Sequence, residues 1–320
     1  MATEREMKIF SLNSNRPLAE KIAQTVGIPL SNVGVNHFAD GEIQIEINES
    51  VRGADVYVIQ SDSRPVNENF MELMIMIDAL RRASAASITV VLPYFGYARA
   101  DHKNRSREPI TAKMIANMIE MDGAARVVTL DLHAAQIEGF FDIPVDNLRA
   151  MSLLARYFLE NHLIENTVVV SPDHTSVKDA RKLAEMLHLP IAITDYIDGE
   201  MDVIGDVKDQ NAIIIDDMID TGKRMSATAN ALKEHGAREI SVAATHAVFS
   251  EGILEKLQMP AIKRVVLTDS IKIAPENQVD KLIQISVGPL IGKAISNIHD
   301  NKSVGSIFAA EEQEIEKYYN

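Results

Sequence analysis

The stretch Ala212-Ile213-Ile214-Ile215-Asp216-Asp217-Met218-Ile219-Asp220-Thr221-Gly222 decides the fold. Its apolar run has no alternating polar face, so it reads as a strand buried on both sides, the kind found in a parallel sheet covered by helices. The run breaks into acids, passes a glycine-containing turn and enters an amphipathic segment over residues 225–235. Open α/β sheets bind ligands beyond the carboxyl ends of such strands. Paired carboxylates there accept hydrogen bonds from sugar hydroxyls, while turn amides and the helix dipole hold a phosphate. The plainer alternative is a pair of acids that caps the next helix. Taken alone, the stretch does not choose between the two.

Working outward, strand-like runs recur at residues 56–59, 88–92, 127–132 and 167–170, then at 191–194, 212–215, 240–245 and 265–268. Amphipathic runs long enough for crossover helices lie at 66–82, 111–121, 177–187 and 225–235. The alternation predicts an α/β fold with a mostly parallel sheet in each half. A helix is predicted over 15–26, with Pro17 near its start, Leu18, Ile22 and Val26 at spacing four, and Gly27 as C-cap. The methionine-rich segment 70–76 reads as core or subunit contact. A chain of 320 residues, 46% hydrophobic, is enough for two cored domains. Boundaries are expected at 8–147 and 148–308, followed by an acidic tail, 309–320; the chain after Gly305 is helical in pattern and is expected to fray.

The longest apolar stretches fall far short of the roughly 18 residues that cross a bilayer. The charged first residues lack the apolar region of a secretory signal, so the expected compartment is cytoplasmic. Without cysteine there is no disulfide, thiolate nucleophile or cysteine zinc site, and any metal must take oxygen or imidazole ligands. A net charge of −14 repels nucleic acid and anionic membrane. Against that field, residues 99–107 collect Arg99, Lys103, Arg105 and Arg107 beside a single acid, Asp101. Such a cluster faces either solvent or a polyanion, and the polyanion is the reading adopted.

Further motifs fix the choice left open at 212–222. Asn36-His37-Phe38-Ala39-Asp40-Gly41-Glu42, Tyr94-Phe95-Gly96-Tyr97-Ala98-Arg99, Ser106-Arg107-Glu108-Pro109-Ile110-Thr111, Asp131-Leu132-His133-Ala134 and Ser171-Pro172-Asp173-His174 precede the acidic strand end. Their order and approximate spacing resemble those of the ribose-phosphate pyrophosphokinase family, also called phosphoribosyl pyrophosphate synthetases. The resemblance spans about residues 8–308, including Ser286-Val287-Gly288-Pro289-Leu290 and Ser303-Val304-Gly305-Ser306-Ile307-Phe308. It implies two type I phosphoribosyltransferase-like domains, the first on the nucleotide side and the second on the ribose 5-phosphate side. The family transfers the β,γ-diphosphate of Mg-ATP to the anomeric hydroxyl of ribose 5-phosphate, giving phosphoribosyl pyrophosphate and AMP. By position, the resemblance implies nucleotide contacts from Phe38, Asp40, Glu42 and Arg99. It implies a regulatory phosphate or ADP near Lys103, Arg105 and Arg107, and Mg2+ at His133 and Asp173. Asp216 and Asp217 would meet the ribose, and Asp220, Thr221 and Gly222 the 5-phosphate, with Lys223 and Arg224 beside it. A homo-oligomer, a hexamer, is implied as well.

The chain also departs from the family. Members carry a Lys and an Arg on a mobile loop shortly after the strand at 191–194, where this chain reads Asp195-Tyr196-Ile197-Asp198-Gly199-Glu200-Met201-Asp202, shorter and without a base. Lys223 and Arg224 stand where the family continues with glycine and threonine. They either obstruct the phosphate turn or grip the phosphate as charges. Ala100 replaces glutamine, His102 replaces arginine, and Thr175-Ser176 replace glycines. The expectation is a family member with a degenerate site, weakly active or inactive alone. The alternatives are a non-catalytic regulatory subunit of an active paralogue, or a sensor of nucleotide or sugar phosphate.

Overall fold

The computed structural model describes residues 5–197 and 200–319. The first of its two compact units runs to Leu148 and takes in Ser270–Lys272 and Val287–Ile307. The second comprises Arg149–Asp269, Ile273–Ser286 and the chain from Phe308 onward. The first division lies beside the expected boundary, but a contiguous second domain over 148–308 is not what is found, because residues 287–307 pack with the first unit.

The first unit contains β1 (Met7–Ser11), β2 (Val33–His37), β3 (Ile43–Ile47), β4 (Asp55–Ile59), β5 (Ser87–Leu92), β6 (Arg126–Leu130) and β7 (Val145–Leu148). Five of them form a parallel sheet in the order β1-β4-β5-β6-β7, and β2 and β3 pair as a separate antiparallel hairpin. Helix α1 (Arg16–Val26) starts on Asn15, whose side chain accepts the Leu18 amide at 3.4 Å, and stops at Gly27, which takes φ +87°. In α2 (Val66–Arg82), Leu73, Met76, Ile77 and Leu80 lie on one buried stripe against Val56, Val58, Ile88 and Val90 of the sheet. Met71, from the same methionine-rich segment, turns outward. Helix α3 (Thr111–Asp122) buries Ile115 and Ile119 in the same core. Strand β6 stops at Leu130 rather than 132 because Asp131 takes φ +39° and leads the chain out of the sheet toward His133.

The second unit opens with helix α4 (Met151–Glu160), followed by β8 (Thr167–Ser171), α5 (Val177–Leu187), β9 (Ile191–Ile197), β10 (Glu200–Ile204), β11 (Asn211–Ile219) and α6 (Lys223–Glu234). It continues through β12 (Ile240–Ala247), α7 (Ile253–Leu257), β13 (Ile262–Thr268) and β14 (Leu282–Ile285). The seven strands run β10-β9-β8-β11-β12-β13-β14, parallel except for the edge strand β10, which returns antiparallel on β9. The two-sided burial inferred for residues 212–215 is met residue by residue. Ala212 and Ile214 join Val168, Val170, Val242 and Leu267 on one face, while Ile213 and Ile215 join Val169, Ala243 and Val266 on the other.

After β14 the chain forms α8 (Gly288–His299), which packs along α1 in the first unit. A Cβ on Gly292 would lie 2.7 Å from Thr25 Cβ and 3.1 Å from the Ile22 carbonyl, so only glycine allows that approach. The last helix, α9 (Gly305–Glu316), follows the helical pattern read after Gly305 but is packed rather than frayed. Ile315 sits among Leu154, Phe158, Ala184 and Leu187, and burying such a side chain is worth about 1.5–3 kcal/mol. Arg156 Nη1 meets Glu311 Oε2 at 3.2 Å, and the Tyr319 ring stacks on His188 with centroids 4.0 Å apart.

Candidate functional site

In the second unit, β8, β11 and α6 bring the predicted acids to one place. Asp173 follows β8, and its Oδ1 accepts the Thr175 amide at 2.8 Å, the Thr175 hydroxyl at 2.6 Å and the Ser176 amide at 2.9 Å. Its Oδ2 lies 2.5 Å from Arg224 Nη1. The same guanidinium nitrogen stands 3.5 Å from Asp216 Oδ2, while Asp216 Oδ1 accepts the Ser176 hydroxyl at 3.2 Å and the Asp217 amide at 3.1 Å. Thr175 and Ser176, at positions expected to be glycine, therefore serve as ligands of the carboxylates. Burial pushes the Asp173 carboxyl up, but the hydrogen bonds from Thr175 and Ser176 and the Arg224 charge outweigh it and leave it below the usual range. Burial and then the Asp217 charge raise Asp216, and Arg224 offsets only part of that.

The turn into α6 is built on Gly222. It takes φ +70°, and a Cβ there would lie 2.7 Å from Ile253 Cδ1 and 3.0 Å from Lys256 Cβ. The Asp220 carboxylate accepts the Ser250 hydroxyl, and the Ser250 amide donates to the Asp220 carbonyl at 3.2 Å, which ties this acid to the segment after β12. Helix α6 has no side-chain cap at Gly222, and Thr221 and Lys223 are exposed beside its first amides. Arg224 stands next to Lys223 at the same turn, and its guanidinium is the group that meets Asp173 and Asp216. It folds back onto the acids.

In the first unit, Phe38, Asp40 and Glu42 form the tip of the β2–β3 hairpin. The Phe38 amide donates to the Glu42 carbonyl at 2.8 Å, and Gly41 takes φ +93°. All three side chains are exposed, Phe38 by 52%. Arg99, Lys103, Arg105 and Arg107 are also exposed, on the segment between β5 and α3. Asp101 lies under that segment, held by His102 Nδ1 at 2.6 Å and Gln136 Nε2 at 2.7 Å, and hydrogen bonding to Asp101 raises the His102 pKa. His133 is exposed on the loop after β6.

Asp62 was missed by the sequence reading. It follows β4, is 2% exposed, and its Oδ1 has no hydrogen-bond partner among the described residues. Burial raises its pKa to about 7, with the Gly96 amide pulling the other way. Gly96 is obligatory, since a Cβ there would fall 2.2 Å from Asp62 Oδ2. The signal was present: Gln60-Ser61-Asp62-Ser63 is a polar break after an apolar strand, the pattern that singled out Asp216.

Strand β9 continues to Ile197 and pairs with β10 in register, Asp195 opposite Asp202 and Ile197 opposite Glu200. Asp198 and Gly199 lie outside the described residues. The flanking acids face histidines, with His174 Nδ1 3.5 Å from Asp195 Oδ2 and His235 Nε2 3.1 Å from Asp202 Oδ1. No lysine or arginine occurs from residue 191 to residue 204.

The residues named for Mg2+ divide between the units, His133 in the first and Asp173 in the second. Asp173 as arranged does not fit the ion, because Oδ1 is saturated and Oδ2 is in contact with a guanidinium. Among the described residues, His37, Glu68 and Glu72 bring metal-type atoms within 4.8 Å of one another. There His37 Nε2 is already 3.0 Å from Glu68, and Glu72 accepts Asn13 Nδ2 at 2.7 Å and Gln60 Nε2 at 2.9 Å.

A family model described as the N-terminal domain of ribose phosphate pyrophosphokinase matches residues 7–123, and one described as the phosphoribosyl synthetase-associated domain matches residues 197–309. Ribose-phosphate pyrophosphokinase 2 of Enterococcus faecalis is 56% identical over 94% of this chain and 96% of its own length. Ribose-phosphate pyrophosphokinase of Listeria ivanovii is 53% identical over 95% and 97%. The crystal structure of phosphoribosylpyrophosphate synthetase from Mycobacterium smegmatis superposes with a TM-score of 0.90 at 39% identity, covering 93% of this chain and 100% of that one.

Proposed function

The chain belongs to the ribose-phosphate pyrophosphokinase family, and on that premise we propose that it carries out the family's diphosphate transfer slowly. The anomeric hydroxyl of ribose 5-phosphate would form a bond to the β-phosphorus of ATP while the bridge to the α-phosphate breaks, releasing AMP and the hydroxyl proton. Magnesium would enter as the nucleotide chelate and neutralise phosphate charge when bound. Phe38, Asp40, Glu42 and Arg99 would hold the nucleotide. Asp216 and Asp217 would meet the ribose hydroxyls, and Thr221, Gly222 and Lys223 the 5-phosphate. Lys103, Arg105 and Arg107 would take phosphate or ADP as a regulatory anion.

One observation carries the word slowly: residues 191–204 hold no cation, and β10 pairs antiparallel on β9 as the sheet edge. Diphosphate transfer depends on positioned charge, and removing one preorganised donor costs roughly 100- to 1000-fold. Rates of AMP release from Mg-ATP, with and without ribose 5-phosphate, test the reading against an intact family member. A ribose 5-phosphate-dependent rate equal to that member's would refute it.

The second reading is a regulatory subunit that assembles with an active paralogue. Its support is the set of outward methionines Met71, Met114 and Met121 on α2 and α3, which suit a contact with another chain. A homo-hexamer is proposed on the family resemblance, and light scattering at micromolar concentration decides it.

A further inference from the structure

We propose that Arg224 is a built-in counter-cation that closes the Asp173 and Asp216 carboxylates to divalent metal, so that a metal binds there only by displacing its guanidinium. This goes beyond the reading above, which gives Asp173 no ligand. It is tested without nucleotide or sugar, so the two stand or fall separately.

The carboxylate inventory leads to it. A carboxylate offers about four acceptor positions. Three donors already converge on Asp173 Oδ1, and Oδ2 is 2.5 Å from Arg224 Nη1. Magnesium binds oxygen at about 2.1 Å and requires near-octahedral geometry. The approach to Oδ2 is already taken by a group of the same charge sign. The same nitrogen lies 3.5 Å from Asp216 Oδ2, so one guanidinium spans both acids.

The helix makes this arrangement specific. Arg224 is in the first turn of α6, the positive end of a macrodipole, and that turn contains no acid. A cation is disfavoured there unless carboxylates outside the helix receive it, which Asp173 from beyond β8 and Asp216 from β11 do. The side chain remains 48% exposed, so it can swing out without disturbing a packed core. Lys223, one residue earlier, is exposed and does not reach these acids.

The probe is Mn2+, titrated into the full-length protein by electron paramagnetic resonance and by calorimetry, with no nucleotide or sugar phosphate present. Arg224→Ala should bind Mn2+ about tenfold more tightly than the unaltered protein, and Asp173→Asn in that background should remove the gain. Arg238→Ala deletes an exposed positive charge elsewhere in the same unit and should shift Mn2+ affinity less than twofold, which separates a local effect from net charge. Arg224→Gln, which keeps donors without charge, gives the same readout should Arg224→Ala fail to fold. Mn2+ affinity unchanged in a folded Arg224→Ala or Arg224→Gln overturns the proposal, as does a gain that survives Asp173→Asn or is matched by Arg238→Ala.

Discussion

Asp62 and Asp216 occupy comparable places in the two units, each at the carboxyl end of a strand inside a parallel sheet, and burial raises the pKa of both. Their surroundings differ. Around Asp216 the chain supplies a guanidinium, a serine hydroxyl and a backbone amide. Asp62 has the Gly96 amide and an orphaned oxygen, while Arg99, Arg105 and Arg107 of its unit stand exposed on the segment after β5. The availability of a cation for an outside anion is therefore set by whether a buried carboxylate of its own unit claims it. Arg224 is claimed, whereas Lys103, Arg105 and Arg107 are not.

The largest expected effect follows from the absence of cations at residues 195–202. A longer loop bearing one Lys and one Arg in that place should raise ribose 5-phosphate-dependent AMP release by several orders of magnitude. The unaltered chain should sit about 10⁴-fold below an intact relative, as two lost donors imply. A graft that leaves the rate unchanged would move the defect to the Asp216 side of the comparison.

Next in size is Asp62→Asn. The folded pKa of Asp62 is raised to about 7 from 3.8, so the native state binds more protons than the unfolded chain between those values. Stability due to this group is therefore present at low pH and lost as pH rises from about 4 to 7, by up to a few kcal/mol at about 1.4 kcal/mol per unit. Asp62→Asn should be the more stable protein at pH 8, and its urea midpoint should vary less with pH than that of the unaltered chain. An unchanged pH slope would mean that Asp62 has a counter-charge after all, and the contrast with Asp216 would collapse.

A smaller effect separates the two turns. Gly222→Ala meets both a left-handed backbone and contact with Ile253, and should cost about 2–3 kcal/mol in thermal or urea unfolding. Gly41→Ala, left-handed but with open space around it, should cost about 1 kcal/mol. Equal losses would show that the crowding at Gly222 relaxes. Least of all, Lys103→Ala, Arg105→Ala and Arg107→Ala combined should weaken ADP or phosphate binding about tenfold by calorimetry, worth about 1.4 kcal/mol. Binding that survives the triple change would mean that the basic segment serves solvent alone.

Period and punctuation made much of the fold legible. The run at 212–215 announced two-sided burial, and Asn15, Pro17 and Gly27 marked the ends of α1. The structure contains short strands at both sheets' edges that the sequence reading passed over, among them β10 and β14, because a few partly polar residues carry no clear period and form through tertiary pairing. The site was legible as a set of residues but not as a set of pairings. Arg224 read as a neighbour of the phosphate turn, yet the acids that receive it come from 51 residues earlier and from the preceding strand. Asp62 was hidden differently, since only three dimensions reveal that Gly96 closes over it. The tail at 309–320 looked solvated by composition, and Ile315, one apolar residue among acids, anchors it.

The return of residues 287–307 to the first unit has a consequence in time. On a ribosome the first unit's sheet is complete at Leu148, but the helix that packs along α1 is not made until roughly 140 residues later. At about 5–20 residues per second, that is about 7 to 28 seconds during which the α1 surface near Thr25 and Ile22 is exposed to the cell. The second unit's sheet is synthesised in that interval, so the half begun first is the half that waits for its last piece.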